Sequence, residues 1–400
     1  MKKRVVVTGL GVISSIGIGK DDFWKNLVVG KSGISNISEF HSPNYASHRG
    51  GVIKNFKTTK EMSNKMGRAS LFAIEAMKQA LSDAGLSNSS INKKKIGFIC
   101  GTTNGESHIL EEIDRIWLEK GESDIWDKTI AKYAVDSISK NVASYCNEIS
   151  FYNIIPTACA AGNYSVGYAY DLIKENKIDL AITGGTDPLT RYAFAGFGRL
   201  FAMAPEKCQP FDRNRKGMML GEGAGILILE EMESAKRRGA TIYAEILGYG
   251  LSCDANNMTA PRVEGIIKVM ERAMKNAGVD KGGVDYISAH GTGTLSNDKA
   301  ECRAIKMVFG DNIRKMCISS IKSMLGHTMG AASAIEAIAC CLTVKNNIIP
   351  PTINYEVADV ECDIDCVPNK AKEKKVEIVL NNSFAFGGNN ACVVFKKYLN

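Results

Sequence analysis

Four hundred residues, 45% of them apolar and 23% charged, make a chain long enough to bury a large core, which excludes the disordered, collagen-like and disulfide-stapled miniature classes. The formal charge of +7 is diffuse: its longest basic runs are Lys93–Lys95 and Lys370–Lys375, the second interrupted by Glu373, so a nucleic-acid arm is excluded and an acidic partner is not. Twelve cysteines, set mostly in apolar contexts such as Cys100 and Cys340–Cys341, read as reduced core thiols of a cytoplasmic protein. No apolar run approaches the roughly 18 residues of a membrane span.

The basic start Met1–Arg4 leads into an apolar stretch broken by Thr8, Gly9, Gly11, Ser14 and Ser15, a first β-strand from Val5 to Thr8 rather than a secretion signal. Gly9 and Gly11 follow it, but Ser14 stands where a dinucleotide fingerprint needs its third glycine. Arg68–Ala84 places Leu71, Ile74, Met77 and Leu81 on one helical face and stops at Gly85. Ile96–Cys100 is the next strand. Gly221–Gly225 lacks the ending of a phosphate loop and reads as a tight turn before a buried strand, Ile226–Leu229.

This alternation of strands and helices predicts an α/β fold, and the second half of the chain repeats the first. Ile74–Leu86 and Ile267–Val279, 193 positions apart, share their apolar positions and an Ala-Gly stop. Each leads to a strand, Ile96–Cys100 and Tyr286–Ala289, that enters a Gly-Thr turn. Strands near Arg4–Thr8 and Thr241–Leu247 complete the parallel, so two halves, 1–240 and 241–400, are expected in one compact unit without a flexible linker.

Cys159 alone among the cysteines sits between a β-rich run, Phe151–Ile155, and a helix pattern opening Ala160-Ala-Gly-Asn. A thiol there faces a helix N-terminus, where the dipole and free N–H groups are expected to lower its pKa and hold an oxyanion. A buried cysteine at a tight helix contact is the competing reading. Of five histidines, His290 in His-Gly-Thr-Gly-Thr294 and His327, five residues after Lys322, occupy Gly/Thr-rich turns suited to proton transfer or charge stabilisation. His41, His48 and His108 read as surface residues. Metal is not expected: Cys159, His290 and His327 lack paired ligand spacing, and Cys362 and Cys366 have no second pair.

Four ordered motifs, Thr157-Ala-Cys-Ala, His290-Gly-Thr-Gly-Thr, Lys322-Ser-Met-Leu-Gly-His and Asn382-Ser-Phe-Ala-Phe-Gly-Gly, resemble the signatures of the β-ketoacyl-[acyl carrier protein] synthases, most closely the type II enzymes. Val7-Thr-Gly-Leu-Gly, Pro210-Phe-Asp-Arg and Pro350-Pro-Thr-Ile-Asn extend the resemblance over the full chain. It implies the thiolase fold, duplicated α/β halves in a five-layered αβαβα arrangement, and a cofactor-free decarboxylative Claisen condensation in fatty acid elongation, or in a specialised polyketide or unusual-lipid pathway. By motif position, Cys159 is the nucleophile, the N–H groups of Cys159 and Phe384 form the oxyanion hole, and His290 and His327 assist decarboxylation. Lys322 holds the histidines and pairs with Glu301, while Thr292 and Thr294 bind the pantetheine arm.

The resemblance also implies a gate of Phe384 and Phe386, and here the chain has Ala385 where the family has Gly, which predicts a stiffer gate. Asn104 falls where relatives place an apolar residue at the end of the acyl pocket, across the dimer. The Lys120–Lys132 stretch is shorter than in relatives. A homodimer and an acyl carrier protein partner are implied, with Lys65, Arg68 and Arg199 as docking cations. A degradative thiolase would need a second catalytic cysteine, but Cys392 reads as strand, and a non-catalytic chain-length subunit would lack Cys159.

Overall fold

A computed structural model describes residues 3–38, 40, 47–87, 94–121 and 127–399. Met1, Lys2, His41, Lys93 and residues 122–126 of the Lys120–Lys132 stretch lie outside these described residues. In chain order the elements that build the site are β1 (Val5–Ser14), α1 (Arg68–Asp83), β2 (Ile96–Gly101), α2 (Ser107–Lys120), α3 (Ser137–Tyr145), β3 (Ile149–Ile155), α4 (Ala161–Lys174), β4 (Leu180–Asp187), α5 (Arg191–Arg199) and β5 (Gly223–Glu231). They continue with β6 (Ala244–Cys253), α6 (Val263–Ala277), β7 (Tyr286–Ser288), α7 (Leu295–Phe309), β8 (Cys317–Ser319), α8 (Ala332–Asn346), β9 (Ile378–Phe384) and β10 (Asn389–Lys397).

All ten strands join one mixed sheet in the order β8-β7-β9-β10-β6-β1-β5-β4-β2-β3. Within β1–β5 the spatial order is third, second, fourth, fifth, first, and β6–β10 follow the same order. The two sets meet through their first strands, β1 and β6, which pair antiparallel with Val6 opposite Glu245. Helices α4 and α8 touch strands of both sets, whereas α1 and α3 cover only the first and α6, backed by α7, only the second. The result is five layers with α4 and α8 in the middle. Thirteen residues of α8, from Ala332 to Val344, are buried without interruption, as a helix enclosed on all sides requires.

β1 runs on past Thr8 through both glycines to Ser14. Gly9 and Gly11 serve helix packing: a Cβ on Gly11 would stand 1.8 Å from the Ala76 carbonyl oxygen, and one on Gly9 2.2 Å from that of Ala80, both on α1. The expected turn at Gly221–Gly225 is likewise mostly strand, because β5 begins at Gly223 and Gly225 leaves room for the backbone of α8. Eleven of the twelve cysteines are buried, Cys253 is exposed, and none is bonded to another. Cys392 lies in β10, as its apolar neighbours predict.

Candidate active site

Cys159 occupies a single 3₁₀ turn, Ala158–Ala160, that joins β3 to α4. Ala158 takes φ +49°, a backbone region L-residues rarely occupy, and the sharp turn sets Cys159 at the floor of a pocket of about 260 Å³. The Ser383 hydroxyl of β9 donates to the Cys159 carbonyl at 2.8 Å and fixes the turn from the other half of the chain. Around the thiol the pocket gathers His290, His327, Phe384, Ala385 and Phe386, with Thr292 and Thr294 on the way out.

The histidine rings meet edge to face with centroids 5.4 Å apart, and Phe384 packs on His290 at 5.7 Å. Burial and the Lys322 charge hold both imidazoles well below their usual range, so both are neutral. The backbone N–H of Met329 donates to His327 Nδ1 at 3.1 Å, which makes Nδ1 an acceptor and leaves the ring proton on Nε2. His290 Nδ1 is buried with no hydrogen-bond partner among the described residues.

Four expectations change at the site. Lys322 pairs with Glu336 of α8, both side chains 2% exposed, and not with Glu301. Glu301 instead accepts the backbone N–H groups of His290 and Gly291, at 2.9 and 2.8 Å, and shapes the His290 turn. The backbone N–H that reaches the Cys159 thiol belongs to Phe386, whereas Phe384 ends β9 opposite Asn390 of β10. Burial, aided by the negative charge of Asp187, pushes the thiol up to about 11 against the pull of Lys322 and the Phe386 N–H, so the resting nucleophile is a thiol and the helix N-terminus does not dominate its acidity. Ala385 keeps a negative φ in this state; its N–H donates to the Asn389 carbonyl and its carbonyl accepts from Gly388, each at 2.9 Å.

Thr292 and Thr294 share a hydrogen bond between their hydroxyls at 2.9 Å. Asn104 does not line this pocket; its backbone N–H donates to Asp187 at 2.8 Å, and its side-chain Nδ2 is buried with no partner among the described residues. Arg68 is forked onto Glu222 at 2.8 and 2.6 Å with its guanidinium over the Phe72 ring, while its side chain remains 36% exposed. Lys65 is exposed and pairs with Glu61. Arg199, exposed at the end of α5, lies beside the mouth residues Leu200 and Phe201. His108 is half-buried, with 30% of its side chain exposed: its Nε2 accepts the Arg68 backbone N–H, and burial with the Arg68 charge lowers its pKa to about 4.

Sequence reasoning missed Glu336 and Lys216. A lone carboxylate inside the apolar run Ala334-Ile-Glu-Ala-Ile338 demands a buried cation, a signal that was present in the sequence. Lys216 is exposed at the pocket mouth, near Leu200, Phe201, Met258 and Leu295, which are themselves 51 to 89% exposed.

Comparison with known proteins agrees with this geometry. The beta-ketoacyl synthase N-terminal domain model matches residues 2–235 and the C-terminal domain model residues 243–356. A 3-oxoacyl-[acyl-carrier-protein] synthase 2 of Synechocystis sp. is 40% identical over 415 residues, and one of Coxiella burnetii 38% identical over 410, each match covering 99% of both chains. The solved structure described as the ishigamide ketosynthase/chain length factor superposes with a TM-score of 0.96 at 43% identity, covering 100% of both chains. A type II PKS acyl-carrier protein in complex with its ketosynthase bound to the hexaketide gives 0.93 at 32% identity, again over 100% of both. The fold is the expected thiolase type, the matches run the length of the sequence, and the chain belongs to the beta-ketoacyl synthase family.

Proposed function

We propose that this chain catalyses decarboxylative Claisen condensation, lengthening a Cys159-bound acyl chain by two carbons from malonyl-[acyl carrier protein] to give 3-oxoacyl-[acyl carrier protein]. The observation that carries the reading is a nucleophile thiol reached by a backbone N–H and enclosed with two neutral histidines. In the first stage Cys159 Sγ attacks the carrier thioester. The backbone N–H groups of Cys159 and Phe386 stabilise the oxyanion, and the carrier thiol leaves with the proton. In the second stage the malonyl carboxylate departs as carbon dioxide. His290 and His327 donate to the enolate oxygen, the enolate carbon attacks the acyl carbonyl, and Cys159 leaves as the thiolate and takes up a proton from solvent to restore the resting thiol. Glu301 and the Lys322–Glu336 pair keep the two histidine turns in place and the rings neutral.

The chain works in this reading as two similar halves, 1–240 and 241–400, in the cytoplasm. Strand β3 ends the sheet, and its exposed Phe151 and Tyr152 lie on an edge whose outer ladder is unpaired among the described residues, so a second copy covers it to form the homodimer. The carrier protein sits over the pocket mouth, where Arg199 and Lys216 face its acidic surface. A specialised pathway is favoured as the second reading by two observations: the 43% identity to the ishigamide ketosynthase/chain length factor, and the Asn104 Nδ2, buried without a partner among the described residues.

Intact-mass analysis after incubation with acylated carrier protein tests the first stage. A single acyl adduct that disappears in Cys159→Ala supports the reading; an adduct that persists overturns the nucleophile assignment. Turnover of ordinary saturated long chains would exclude the specialised pathway.

A further inference from the structure

Asp187 ends β4, is 0% exposed and lines no part of the catalytic pocket. Four donors converge on its two oxygens. Oδ1 accepts the Thr102 hydroxyl and the Asn104 backbone N–H, both at 2.8 Å. Oδ2 accepts the backbone N–H groups of Thr103 at 2.8 Å and Gly330 at 2.6 Å. Three of these donors belong to the loop after β2, and the fourth to the turn that follows His327. Burial pushes the carboxyl up to about 7 while the hydrogen bonds pull it down; the ionised form is the one that can accept all four.

The His327 turn is held under strain. Met329, whose N–H donates to His327 Nδ1, is 1% exposed and has φ +53°. A backbone of this kind is strained and persists only where its surroundings over-determine it. Gly330 allows the turn to lie on the loop: a Cβ there would stand 2.6 Å from the backbone of Thr102 and Thr103 and 2.7 Å from Asp187 Oδ2. Gly185, two residues before Asp187, similarly leaves space for the Gly330 carbonyl, which a Cβ would meet at 2.4 Å. The strained residue is thus tied down by the bond from its next neighbour to Asp187.

We infer that Asp187 is a positioning residue for condensation: by holding Gly330 it fixes the Met329 turn and so keeps the His327 proton on Nε2, the nitrogen left to serve the pocket. The inference rests on the enolate-stabilising role proposed for His327. Asp187 touches neither substrate nor thiol. Its positioning action passes through two backbone N–H groups and falls on the malonyl stage; its charge separately helps to raise the Cys159 thiol, so removing that charge does not slow acyl loading.

Asp187→Asn tests this, because an amide offers two acceptor positions on one oxygen only and turns its NH₂ against the N–H donors it must replace. The two half-reactions are measured separately: acyl loading of Cys159 by intact mass, and carbon dioxide release from malonyl-[acyl carrier protein]. The His327 tautomer is read in the free protein by ¹⁵N NMR of labelled imidazoles, assigned with His327→Gln. Decarboxylation is expected to fall roughly tenfold or more, part of the about 10²–10⁴ that a positioned proton donor supplies, with Nδ1-protonated His327 appearing and loading no slower than wild type, because the lost charge had raised the Cys159 thiol. Gly330→Ala, which lifts the turn off an intact Asp187, carries the same expectation if Asp187→Asn does not fold. A folded variant that decarboxylates at the wild-type rate, or loses both half-reactions equally with the tautomer unchanged, overturns the inference. If the wild-type protein neither loads nor decarboxylates, the condensing function is what fails, and the tautomer spectrum still decides the role of Asp187.

Discussion

Lys322 and Glu336 form an ion pair in the middle of the fold, fourteen residues apart, with each side chain 2% exposed. Removing one partner of such a pair strands the other charge, at a cost of about 3–5 kcal/mol when it cannot be neutralised. Here it can. Burial raises the Glu336 carboxyl to about 7, and with Lys322 gone it takes up a proton. Lys322→Ala is therefore expected to fold while changing the chemistry around it. Its charge pulls the Cys159 thiol down from the value that burial sets, so the variant's thiol titrates higher. Alkylation of Cys159 by iodoacetamide at pH 8, followed by intact mass, should slow by about tenfold for each pKa unit gained. An unchanged rate would show that Lys322 does not act on the nucleophile.

The same cation keeps the histidines neutral, which gives a second expectation with a definite sign. Both imidazoles have folded values well below 6.5, set by burial and by Lys322, with His327 adding to the depression of His290. A depressed group favours the fold above its ordinary value and loses that contribution as the pH falls toward the folded value. Asp187, Glu301 and Glu336, each raised to about 7, act in the opposite direction, favouring the fold increasingly as the pH falls through 7. Stability is thus a poor reporter of the histidines, and the rate is a better one. Asp187 titrates near 7 and its protonation frees a donor it holds, so wild-type malonyl decarboxylation should fall as the pH drops through 7, whereas the residual rate of Asp187→Asn should stay within about twofold from pH 8 to pH 6 because neither ring gains its proton there. Adding Lys322→Ala to Asp187→Asn should bring an acid limb up toward pH 6.5. A limb centred on 6.5 in Asp187→Asn alone would mean that the rings titrate as if exposed.

Much of this was legible in the sequence where local pattern and chemistry coincide. The spaced apolar positions of Arg68–Asp83 and Val263–Ala277 mark amphipathic helices, and the Gly/Thr turns around Cys159, His290 and His327 mark strand ends that present side chains to a shared pocket. The rest depended on long-range contacts that periodicity does not encode. Gly9 and Gly11 look like part of a dinucleotide fingerprint after a short strand until the backbone of α1 is laid across them. Arg68 looks like a surface cation until Glu222, 154 residues away, closes on it. The backbone N–H at the thiol comes from Phe386 and not Phe384 because β9 keeps Phe384 in its pairing with β10, and the loop beyond approaches the thiol.

Arg68 and Lys216 should therefore behave as opposites. Arg68→Ala removes a forked pair from Glu222, a carboxylate 2% exposed that also accepts the backbone N–H groups of Ile53 and Leu189. The expected result is a loss of about 1–3 kcal/mol in denaturant unfolding, the cost of a charged hydrogen-bond partner left unpaired, with little change in KM for the carrier protein. Lys216→Glu leaves the core untouched. It should raise KM for acylated carrier protein several-fold at low salt, with the difference shrinking as salt is added. A Lys216→Glu variant with wild-type KM at low ionic strength would place the carrier elsewhere.

Ala385 decides how freely the loop between Phe384 and Phe386 can move. In the present state it is 7% exposed, keeps a negative φ, and is bonded through both its N–H and its carbonyl to the turn that opens β10. A Cβ bars the left-handed backbone region, so any open gate that requires positive φ at this position is closed to this chain and open to relatives with glycine. Phe386 packs at a tilt on Phe197 with centroids 5.7 Å apart, and its backbone supplies the N–H at the thiol, so a gate movement that shifts this backbone also moves that donor. Ala385→Gly should therefore accelerate acyl transfer to Cys159 and admit a wider range of chain lengths. The substitution should also cost about 0.4–1 kcal/mol of stability through the looser unfolded chain. Stopped-flow loading with carrier-bound chains of graded length measures the first effect and thermal unfolding the second; identical loading kinetics across all lengths would mean that the gate opens without using the region alanine forbids.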